Sequence, residues 1–519
     1  MGPASRLPEA GRRGRDRLRQ GERSPSPLRL PASSPVIEVA RVIARAGGRA
    51  IVVGGWVRDQ LLGVTSHDLD LEIFGLDADE ITRLLRPLGF SPPVGRHFPV
   101  WRHGAHGIDI SPPRAGNDLY ATDDADSLVR AFGEASRHRD LTINAMGWDP
   151  LGESDIRGGE VEPFSDVESA HDEFAEDEEA AEDETQATDG LIDPWGGRDD
   201  VLARDLRAVD PATFGADPLR MLRVARISGS IGASVDPALA RLCRDQCLDE
   251  VPVERVATEL RRILTECACP SRAFAFLAEI GRLDVFPPLA RLPDVPQDPR
   301  FHPEGDVYVH TLMVVDRAAE IGRDLPDEER EILLLAALCH DLGKPETTTV
   351  AGDRVRSLGH EARSAERARE WLTSLRIPER RIRAVEALVA SHLAPFQFVS
   401  QGAGPRAYRR LARKLAKGGV GVSELERLAR ADHLGRTTPE AERGSFDAGR
   451  AFLEAAEGAG VREGSRPDVV LAEHLIERGV MPGPRLGRLL ARCRQIEDET
   501  GIREVEAIVD RVLAEPDSD

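Results

Sequence analysis

The segment at residues 50–75, AIVVGGWVRDQLLGVTSHDLDLEIFG, restricts the fold more than any other part of the chain. Its apolar run ends at Gly54 and Gly55, which predicts a strand that turns directly into a short helix. The alternation of polar and apolar residues over 67–75 predicts a second strand. Two glycines at such a turn let backbone N–H groups approach a phosphate closely, and a helix N-terminus favours anions. The segment therefore predicts an α/β unit that binds a nucleotide.

Three charged residues extend this pattern. Arg58 lies one turn into the predicted helix and can contact the same phosphates. Asp68 and Asp70 are spaced i, i+2 on the predicted strand, so both carboxylates point to one face. Two such carboxylates suit two Mg²⁺ ions, one to activate a 3′-hydroxyl and one to hold a triphosphate. A surface aspartate pair is the alternative, but the preceding Gly-Gly-x-x-Arg favours nucleotidyl transfer.

Five motifs, in order over about 210 residues, resemble those of one enzyme family. GGWVRDQLLG with HDLDLE resembles the first motif of the bacterial-type (class II) tRNA CCA-adding enzymes and the bacterial poly(A) polymerases. The others that match in order are HRDLTINAM (138–146), IDPWGGRDDV (192–201), ADPLRMLRVARIS (216–228) and VPVERVATELRRIL (251–264). The resemblance implies a polymerase-β-like nucleotidyltransferase head of α/β class, followed by an all-α neck.

The resemblance also implies roles at the metal and at the ribose. Asp68 and Asp70 would bind Mg²⁺. Arg139 and Asp140 would hold the ribose and select ribonucleotides, and Asn144 would support their loop.

Base recognition is implied for the helical motif at 216–228. Asp217 and Arg220 are spaced i, i+3, so on one helix they would face the same way and bond the Watson–Crick edge of CTP or ATP. Arg223 and Arg226 extend that helix and would contact phosphates, with ordinary surface charge as the alternative.

Two positions depart from the family pattern. Ala216 stands where the family usually has a glutamate, which makes the nucleotide selectivity less certain. His138 stands where the family has the first arginine of Arg-Arg-Asp, although the following Arg-Asp pair is intact.

A second constellation contains four histidines and two aspartates beyond residue 303. They are His310, His340, Asp341, His360, His392 and Asp432. Imidazoles and carboxylates together suit a divalent metal. The pattern resembles the HD phosphohydrolase superfamily, and HPEGDVYVHT with HDLGK resembles the HD-containing subgroup of CCA-adding enzymes.

That second resemblance implies ligands and a reaction. His310, His340, Asp341 and Asp432 would ligate a metal such as Mn²⁺, Ni²⁺ or Mg²⁺. His360 and His392 would complete a second metal site or bind phosphate, and His433 would be a bystander. The site would cleave 2′,3′-cyclic phosphates or phosphomonoesters; a domain that folds without hydrolysing is the alternative.

The net charge of −21 does not exclude an RNA partner. Residues 166–190 hold 12 carboxylates and no lysine or arginine, so more than half of the imbalance lies in one segment that we predict to be a disordered insertion. The six cysteines have no zinc-binding spacing, which favours reduced thiols in a cytoplasmic protein. No apolar run is long enough to predict a membrane span.

Composition and breaks in the pattern divide the chain into five parts. We predict a disordered basic tail (1–34), the head (35–215), a helical neck that binds base and RNA (216–295), an HD domain (300–437) and a helical tRNA-binding region (438–519). The helix with YRRLARKLAK carries a basic stripe that could follow a tRNA backbone, although a solvated helix face fits nearly as well.

The predicted reaction is attack of a tRNA 3′-hydroxyl on the α-phosphorus of CTP or ATP, with release of pyrophosphate and complete CCA addition. Addition of CC only, addition of A only, and poly(A) synthesis remain alternatives. A different alternative is an HD hydrolase whose head only docks RNA. The presence of both Asp68 and Asp70 argues against this alternative. The oligomeric state stays open.

Overall fold

The computed structural model of the chain describes residues 28–66, 69–95, 99–114, 125–152 and 190–515. Asp68, the predicted basic tail up to residue 27 and the acidic insertion apart from Gly190 lie outside the described residues. The described chain forms two compact units. The head unit extends to Arg220 and includes Ala233–Gln246, and the helical unit comprises Met221–Gly232 and the chain from Cys247 onward.

A six-stranded mixed sheet forms the centre of the head unit, in the order β3-β4-β2-β1-β5-β6. Its strands are β1 (Arg49–Val53), β2 (Leu69–Phe74), β3 (Trp101–His103), β4 (Ile108–Ser111), β5 (Gly147–Trp148) and β6 (Leu191–Ile192). β1 is antiparallel to β2 and β5, whereas β2 is parallel to β4. Val53 pairs with Asp70, so Asp70 lies beside the point where β1 ends. The strand, turn and second strand predicted from residues 50–75 are therefore present.

Helices and a small second sheet complete the head unit. They are α1 (Pro35–Arg45), α2 (Gly55–Leu61), α3 (Ala78–Leu85), α4 (Ala125–Ser136), α5 (Gly197–Ala203), β7 (Asp205–Leu206), β8 (Ser234–Val235) and α7 (Pro237–Arg244), with α6 (Arg220–Ile231) starting on the unit's boundary. Short 3₁₀ helices lie at Arg86–Leu88, Thr142–Asn144 and Phe214–Ala216. The core includes Ile51 and Phe74 from the sheet and Phe132 from α4, all fully buried. Burial of each such side chain stabilises the fold by roughly 1.5–3 kcal/mol.

The helical unit consists of α6 and of helices from residue 253 onward, with one β-hairpin. These elements are α8 (Val253–Glu266), α9 (Pro270–Glu279), α10 (Val307–Ile321), α11 (Asp327–Cys339), α12 (Lys344–Thr347), β9 (Thr348–Ala351), β10 (Arg354–Ser357), α13 (His360–Ser374), α14 (Glu379–Val389), α15 (Ala394–Ser400), α16 (Pro405–Lys417), α17 (Val422–Leu434), α18 (Pro439–Glu442), α19 (Asp447–Gly458), α20 (Ala472–Glu477), α21 (Pro484–Thr500) and α22 (Val505–Ala514). Two 3₁₀ turns lie at Leu283–Val285 and Leu289–Arg291.

Helix α11 is the central helix of the HD region. Residues 333–339, LLLAALC, are all buried, so the helix is apolar on every side and is surrounded by its neighbours. It contacts α10, α14 and α17. Because α11 ends at Cys339, the next two residues, His340 and Asp341, lie in the interior of the unit.

Part of the basic stripe predicted on α16 makes contacts inside the helical unit. Arg409 donates to Asp498 O at 2.9 Å, and Arg413 pairs with the Asp498 carboxylate at 3.0 Å and with Asp468. Arg410, Lys414 and Lys417 of the same stripe are exposed. Arg409 and Arg413 therefore hold α16 to the C-terminal part of the unit, and the tRNA contact of the stripe stays a prediction.

All six cysteines are free, and Cys247 is the exposed one. Burial raises the pKa of Cys243 and Cys267 to about 12, which keeps these thiols protonated. Over the described ranges, no helix has the length and apolar character that crossing a bilayer requires.

Candidate functional site

The turn between β1 and α2 is the first feature of the head site. Gly54 has a φ of 79°, which glycine adopts without strain, and its N–H donates to Met146 O at 3.2 Å. A Cβ on Gly54 would lie 3.0 Å from Nη1 of Arg139. Gly54 therefore provides both the turn and the space that the Arg139 side chain occupies. Gly55 begins α2, as the sequence predicts.

Arg58 joins this turn to the loop that carries the second motif. Its Nη1 donates to Asn144 Oδ1 at 2.7 Å, and its Nε donates to Asp59 Oδ1 at 2.8 Å. Asn144 Nδ2 in turn donates to Asp140 Oδ1 at 3.1 Å. Motifs about 85 residues apart in the sequence thus form one hydrogen-bonded network. The contact of Arg58 with phosphates stays a prediction.

Arg139 connects the same loop to strand β2. Its Nη2 pairs with Glu72 Oε1 at 2.7 Å, and its Nη1 donates to Asn144 O at 3.1 Å. Glu72 is buried, and two residues before it Asp70 points to the same face of β2 and is exposed. The predicted ribose-binding residue is therefore anchored next to a predicted metal ligand.

Asp70 is the described carboxylate at this face that a divalent metal could bind. It is exposed near the start of β2, a central strand, and its register partner on β4, Asp109, is ion-paired with Arg102 at 3.2 Å. Hard oxygen ligands of this kind are those that Mg²⁺ prefers. Asp68 lies outside the described residues.

The expectation that Asp217 and Arg220 share a helix face is wrong. Asp217 lies before α6, in an extended conformation with φ −134° and ψ 102°, and Arg220 is the first residue of that helix. Pro218 accounts for the difference, because the residue before a proline is driven out of the helical region. Asp217 Oδ1 instead accepts from Leu219 N at 3.2 Å.

The guanidinium of Arg220 is buried and fixed by backbone carbonyls. Its acceptors are Thr213 O at 2.9 Å, Phe214 O at 3.4 Å and His138 O at 2.5 Å. It also lies 5.9 Å from the centroid of the Phe214 ring. Arg220 thus ties the start of α6 to the loop that precedes Arg139, and base recognition by Asp217 and Arg220 stays a prediction.

Arg226 takes part in a buried ion-pair network on the helical unit. Its Nε lies 3.0 Å from Glu259 and its Nη1 lies 2.9 Å from Glu266, with only 11% of its side chain exposed. This geometry favours a role in joining α6 to α8 over the predicted contact with phosphates. Arg223, one turn earlier, is half-buried.

Four histidines converge in the interior of the helical unit, and each has its Nδ1 engaged. The acceptors are Glu304 Oε1 for His310 (2.8 Å), Ala337 O for His340 (2.7 Å), Ser357 O for His360 (2.8 Å) and Val389 O for His392 (2.8 Å). A carbonyl or carboxylate oxygen can only accept, so each Nδ1 carries a proton, which leaves the Nε2 of each neutral imidazole as the nitrogen that can bind a metal.

The four Nε2 atoms face one another. His310 Nε2 lies 3.4 Å from His340 Nε2, and His360 Nε2 lies 3.3 Å from His392 Nε2. Asp341 is within 3.2 Å of His340 and 3.3 Å of His360, and Asp432 Oδ1 is 3.1 Å from His310. All six residues predicted from the sequence are thus brought together.

Imidazole nitrogens that converge on carboxylates in this way fit a metal site. Three sets of ligand atoms lie within 4.8 Å of one another: His302 with Glu304 and His310, His310 with His340 and Asp341, and Asp341 with His360 and His392. Nitrogen and oxygen ligands of this kind suit a divalent ion.

The charge states agree with that fit. Burial opposes the charged form of Asp341, but His340 and Lys344 outweigh it and hold the pKa of Asp341 well below its usual range. Burial also opposes ionisation of Asp432, and Arg436 outweighs it, so the pKa of Asp432 is likewise low. Burial lowers the pKa of His392 to about 3. The cluster therefore offers charged carboxylates and at least one neutral imidazole at neutral pH.

Three further residues contact the cluster. Glu304 is buried and accepts from His302 Nδ1 at 2.9 Å as well as from His310. Lys344 Nζ lies 2.7 Å from Asp341, and Arg436 Nη2 lies 3.1 Å from Asp432. The motifs alone predict no role for any of the three.

Two domain families match the chain. The poly A polymerase head domain matches residues 50–162, and the HD domain matches residues 307–431. The first match contains the network around the glycine turn, and the second contains the histidine–carboxylate cluster except Asp432, which lies one residue beyond the match.

Curated relatives cover much more of the chain. A multifunctional CCA protein from Cupriavidus taiwanensis is 32% identical over 482 residues, which is 89% of this chain and 98% of that protein. The chain belongs to the multifunctional CCA protein family. Another member, from Leptothrix cholodnii, is 36% identical over 354 residues, covering 64% of this chain and 69% of its own length.

Solved CCA-adding enzymes share the fold. The Bacillus stearothermophilus CCA-adding enzyme in complex with CTP superposes with a TM-score of 0.59 at 18% identity, covering 93% of this chain and 97% of that one. The Thermotoga maritima CCA-adding enzyme complexed with tRNA gives a TM-score of 0.51 at 17% identity, covering 92% and 93%. The predicted family and fold class are confirmed.

For this member of the CCA protein family, the sequence did contain signals for the residues that were missed. Glu72 continues the i, i+2 series of Asp68 and Asp70 on β2. Glu304 belongs to the HPEGD segment before α10, and Arg436 follows Asp432 by four residues, about one helical turn.

Proposed function

We propose that this chain adds CCA to the 3′ end of tRNA, using CTP and ATP without a nucleic-acid template. The observation that carries the proposal is the network in which Gly54, Arg58, Asn144, Arg139 and Glu72 connect the glycine turn to strand β2. These contacts support the proposal, because they join the predicted phosphate-binding turn and the predicted ribose-binding loop to the strand that carries Asp70.

The head performs one transfer at a time. Asp68 and Asp70 are the proposed Mg²⁺ ligands, and bound Mg²⁺ supplies charge stabilisation at the triphosphate and a more acidic 3′-hydroxyl. The 3′-oxygen of the tRNA bonds to the α-phosphorus of the nucleotide, and the bond from that phosphorus to the bridging oxygen breaks. Pyrophosphate leaves, and the hydroxyl proton passes to solvent. Gly54 and Gly55 leave room for the triphosphate, and Arg58 contributes positive charge beside it.

Selection of the nucleotide is assigned to the two loops tied together by Arg220. Arg139 and Asp140 hold the ribose, with Asn144 fixing their positions. Asp217 and Arg220 read the base, and Arg223 contacts phosphate. The carbonyls around Arg220 support this role, because a guanidinium already fixed loses little entropy when a base binds.

We also propose that the HD region hydrolyses 2′,3′-cyclic phosphates or phosphomonoesters. The four converging Nε2 atoms favour this second activity over a domain that only folds. His310, His340, Asp341 and Asp432 would hold Mn²⁺, Ni²⁺ or Mg²⁺, with His360 and His392 at a second ion or at phosphate. The ion supplies a lowered pKa for water and stabilises charge on the phosphoryl group. The water oxygen bonds to phosphorus, the ester P–O bond breaks, and the leaving oxygen takes a proton.

The location and the finer division of the chain belong to the same proposal. The head (35–215), neck (216–295), HD domain (300–437) and C-terminal tRNA-binding region (438–519) would act together in the cytoplasm. Free cysteines without zinc-like spacing support that location.

A gel assay tests the first activity. Purified full-length protein with Mg²⁺ receives tRNAs that end before CCA, after C and after CC, with CTP, ATP or both. We expect three added residues ending in A, and loss of at least about a hundredfold in rate for Asp70→Ala. Glu134→Gln, which changes an exposed carboxylate of α4, is the matched control. Stopping after CC, adding A only to the CC-ended tRNA, or long A tails would replace CCA addition by one of the alternatives.

Hydrolysis of cytidine 2′,3′-cyclic phosphate tests the second activity. We expect His340→Ala to abolish hydrolysis and to leave incorporation intact, and Asp70→Ala to do the reverse. If folded His340→Ala protein lost incorporation as well, the two sites would not be independent.

A further inference from the structure

A cavity of about 260 Å³ opens beside the histidine–carboxylate cluster. Its lining includes His360, His392 and Asp432 of that cluster, together with two cations, Lys344 and Arg436. This volume is slightly below the roughly 300–1,000 Å³ usual for sites that bind small molecules. The cavity therefore suits one nucleotide at most, with its phosphate toward the cations.

Aromatic side chains line the same cavity. Phe301 is 58% exposed and Phe396 is 61% exposed, and over the described residues no other phenylalanine, tyrosine or tryptophan side chain is so open to solvent. They come from separate segments, one before α10 and one on α15. Exposed apolar rings that coincide at one pocket indicate a binding role, since scattered exposure would place them apart.

Other contacts add to the aromatic character of this cavity. The guanidinium of Arg300 lies over the Phe301 ring at 5.7 Å from its centroid, and Asp298 holds Arg300 with an ion pair of 2.5 Å. His433 and Phe446 also line the cavity and stack at 4.9 Å with an interplanar angle of 24°. The cavity thus combines phosphate-binding charge with flat apolar surface.

We propose that Phe301 and Phe396 form a base-stacking platform at the HD cavity. The phosphoester enters toward the histidine–carboxylate cluster, and the nucleobase attached to the same ribose rests against the two rings. Bases stack on aromatic side chains whatever their sequence, so the platform accepts any terminal nucleotide. The inference rests on the proposed phosphohydrolase function and assigns its substrate a base-binding subsite.

Comparison of two substrates tests the platform in full-length protein with Mn²⁺. One is cytidine 2′,3′-cyclic phosphate, and the other is 1-deoxyribose 2,3-cyclic phosphate, which has the same phosphoester and no base. We expect the wild type to prefer the nucleotide by about 5- to 150-fold in kcat/KM, the range that stacking of one base is worth. Phe301→Ala with Phe396→Ala should remove this preference through KM and leave hydrolysis of the abasic ester unchanged.

Matched variants separate stacking from general damage. The double variant with Phe301→Tyr and Phe396→Tyr should keep the preference for the nucleotide that the wild type shows. Met481→Ala, which truncates another exposed apolar side chain, should leave this preference unchanged. Equal rates of the wild type on both substrates, or an unchanged preference after removal of both rings, would overturn the platform while the phosphohydrolase function stands.

A binding measurement decides the matter even if the protein hydrolyses neither substrate. An RNA that ends in 5-iodouridine with a 3′-phosphate is irradiated with metal-free protein, and the adducts are mapped by mass spectrometry. Adducts at Phe301 or Phe396 support the platform, and adducts confined to the head unit refute it. The KM for hydrolysis is also measured for the same RNA with a cyclic phosphate end and for the free cyclic nucleotide. The substrate with the lower KM shows whether the phosphoester comes from an RNA end or from a free nucleotide.

Discussion

Glu304 gives the sharpest prediction about the metal cluster. Its Oε1 accepts from His310 Nδ1 at 2.8 Å and from His302 Nδ1 at 2.9 Å, while its Oε2 accepts from Thr437 N at 3.2 Å. In Glu304→Gln the amide has a single oxygen, so at least one of these three donors would face the NH₂ group. His310 would then have a neutral acceptor or none, so its Nε2 would be held less firmly toward the other ligands.

The expected loss in metal affinity follows from the hydrogen bonds of Glu304 that change in the variant. A hydrogen bond to a charged acceptor contributes about 1 kcal/mol more than one to a neutral acceptor, and two imidazoles depend on Oε1. The expected loss is about 2 kcal/mol, which falls within the 10- to 100-fold loss in metal affinity typical when a partner of a metal-binding histidine is removed.

Calorimetric titration of the metal-free protein with Mn²⁺ measures this loss. Glu361→Gln is the matched control, because Glu361 lies 3.7 Å from His360 Nδ1 and that nitrogen donates to Ser357 O instead. We expect the control to bind Mn²⁺ like the wild type, and nucleotide incorporation to be unchanged in both variants. Equal weakening in the two variants would show that general loss of negative charge is responsible, and wild-type affinity in Glu304→Gln would refute the orienting role.

Three other predictions concern the rest of the chain. Gly54→Ala should lower the free energy of unfolding in urea by about 1–2 kcal/mol and should abolish nucleotide incorporation. The reason is that Gly54 has a positive φ and that the Cβ of the alanine would press on Arg139. Wild-type activity of this variant would contradict the prediction. Burial raises the pKa of Asp316 to about 6, so the protonated carboxyl of Asp316 stabilises the folded state. This stabilisation is fully present below pH 3.8 and is lost as the pH rises through 6. Relative to Asp316→Asn, the wild type should lose about 2 kcal/mol between pH 4 and pH 7, and a constant difference in unfolding free energy would refute the shift. A thiol reagent should modify exposed Cys247 in the native protein well before Cys267, because burial keeps the thiol of Cys267 protonated. Peptide mapping of the modified protein measures this order.

The types and order of residues in the sequence predicted most of the residues of the two sites. They predicted few of the residues that hold those site residues in position. The six metal-cluster residues could be found because their types and order resemble the HD superfamily. Glu304 belongs to the HPEGD segment of the same resemblance, but its contact with His310 Nδ1 depends on how the loop before α10 folds, which the motif does not specify.

Local backbone chemistry explains the error at the start of α6. The i, i+3 spacing of Asp217 and Arg220 suggested a shared helix face, and Pro218 between them was the sign that it fails. Arg226 shows a different limit, since its partners Glu259 and Glu266 are 33 and 40 residues away. A basic residue on a helix gives no sign of whether distant acids will neutralise it.

The four histidines held at Nδ1 also affect which metal the protein acquires. Three are oriented by backbone carbonyls that lie three residues earlier in the chain. Sites built from nitrogen and oxygen ligands generally bind Ni²⁺, Cu²⁺ and Zn²⁺ more strongly than Mn²⁺. We therefore expect the ions available around the protein, together with the ligand geometry, to decide which metal the histidine–carboxylate cluster binds.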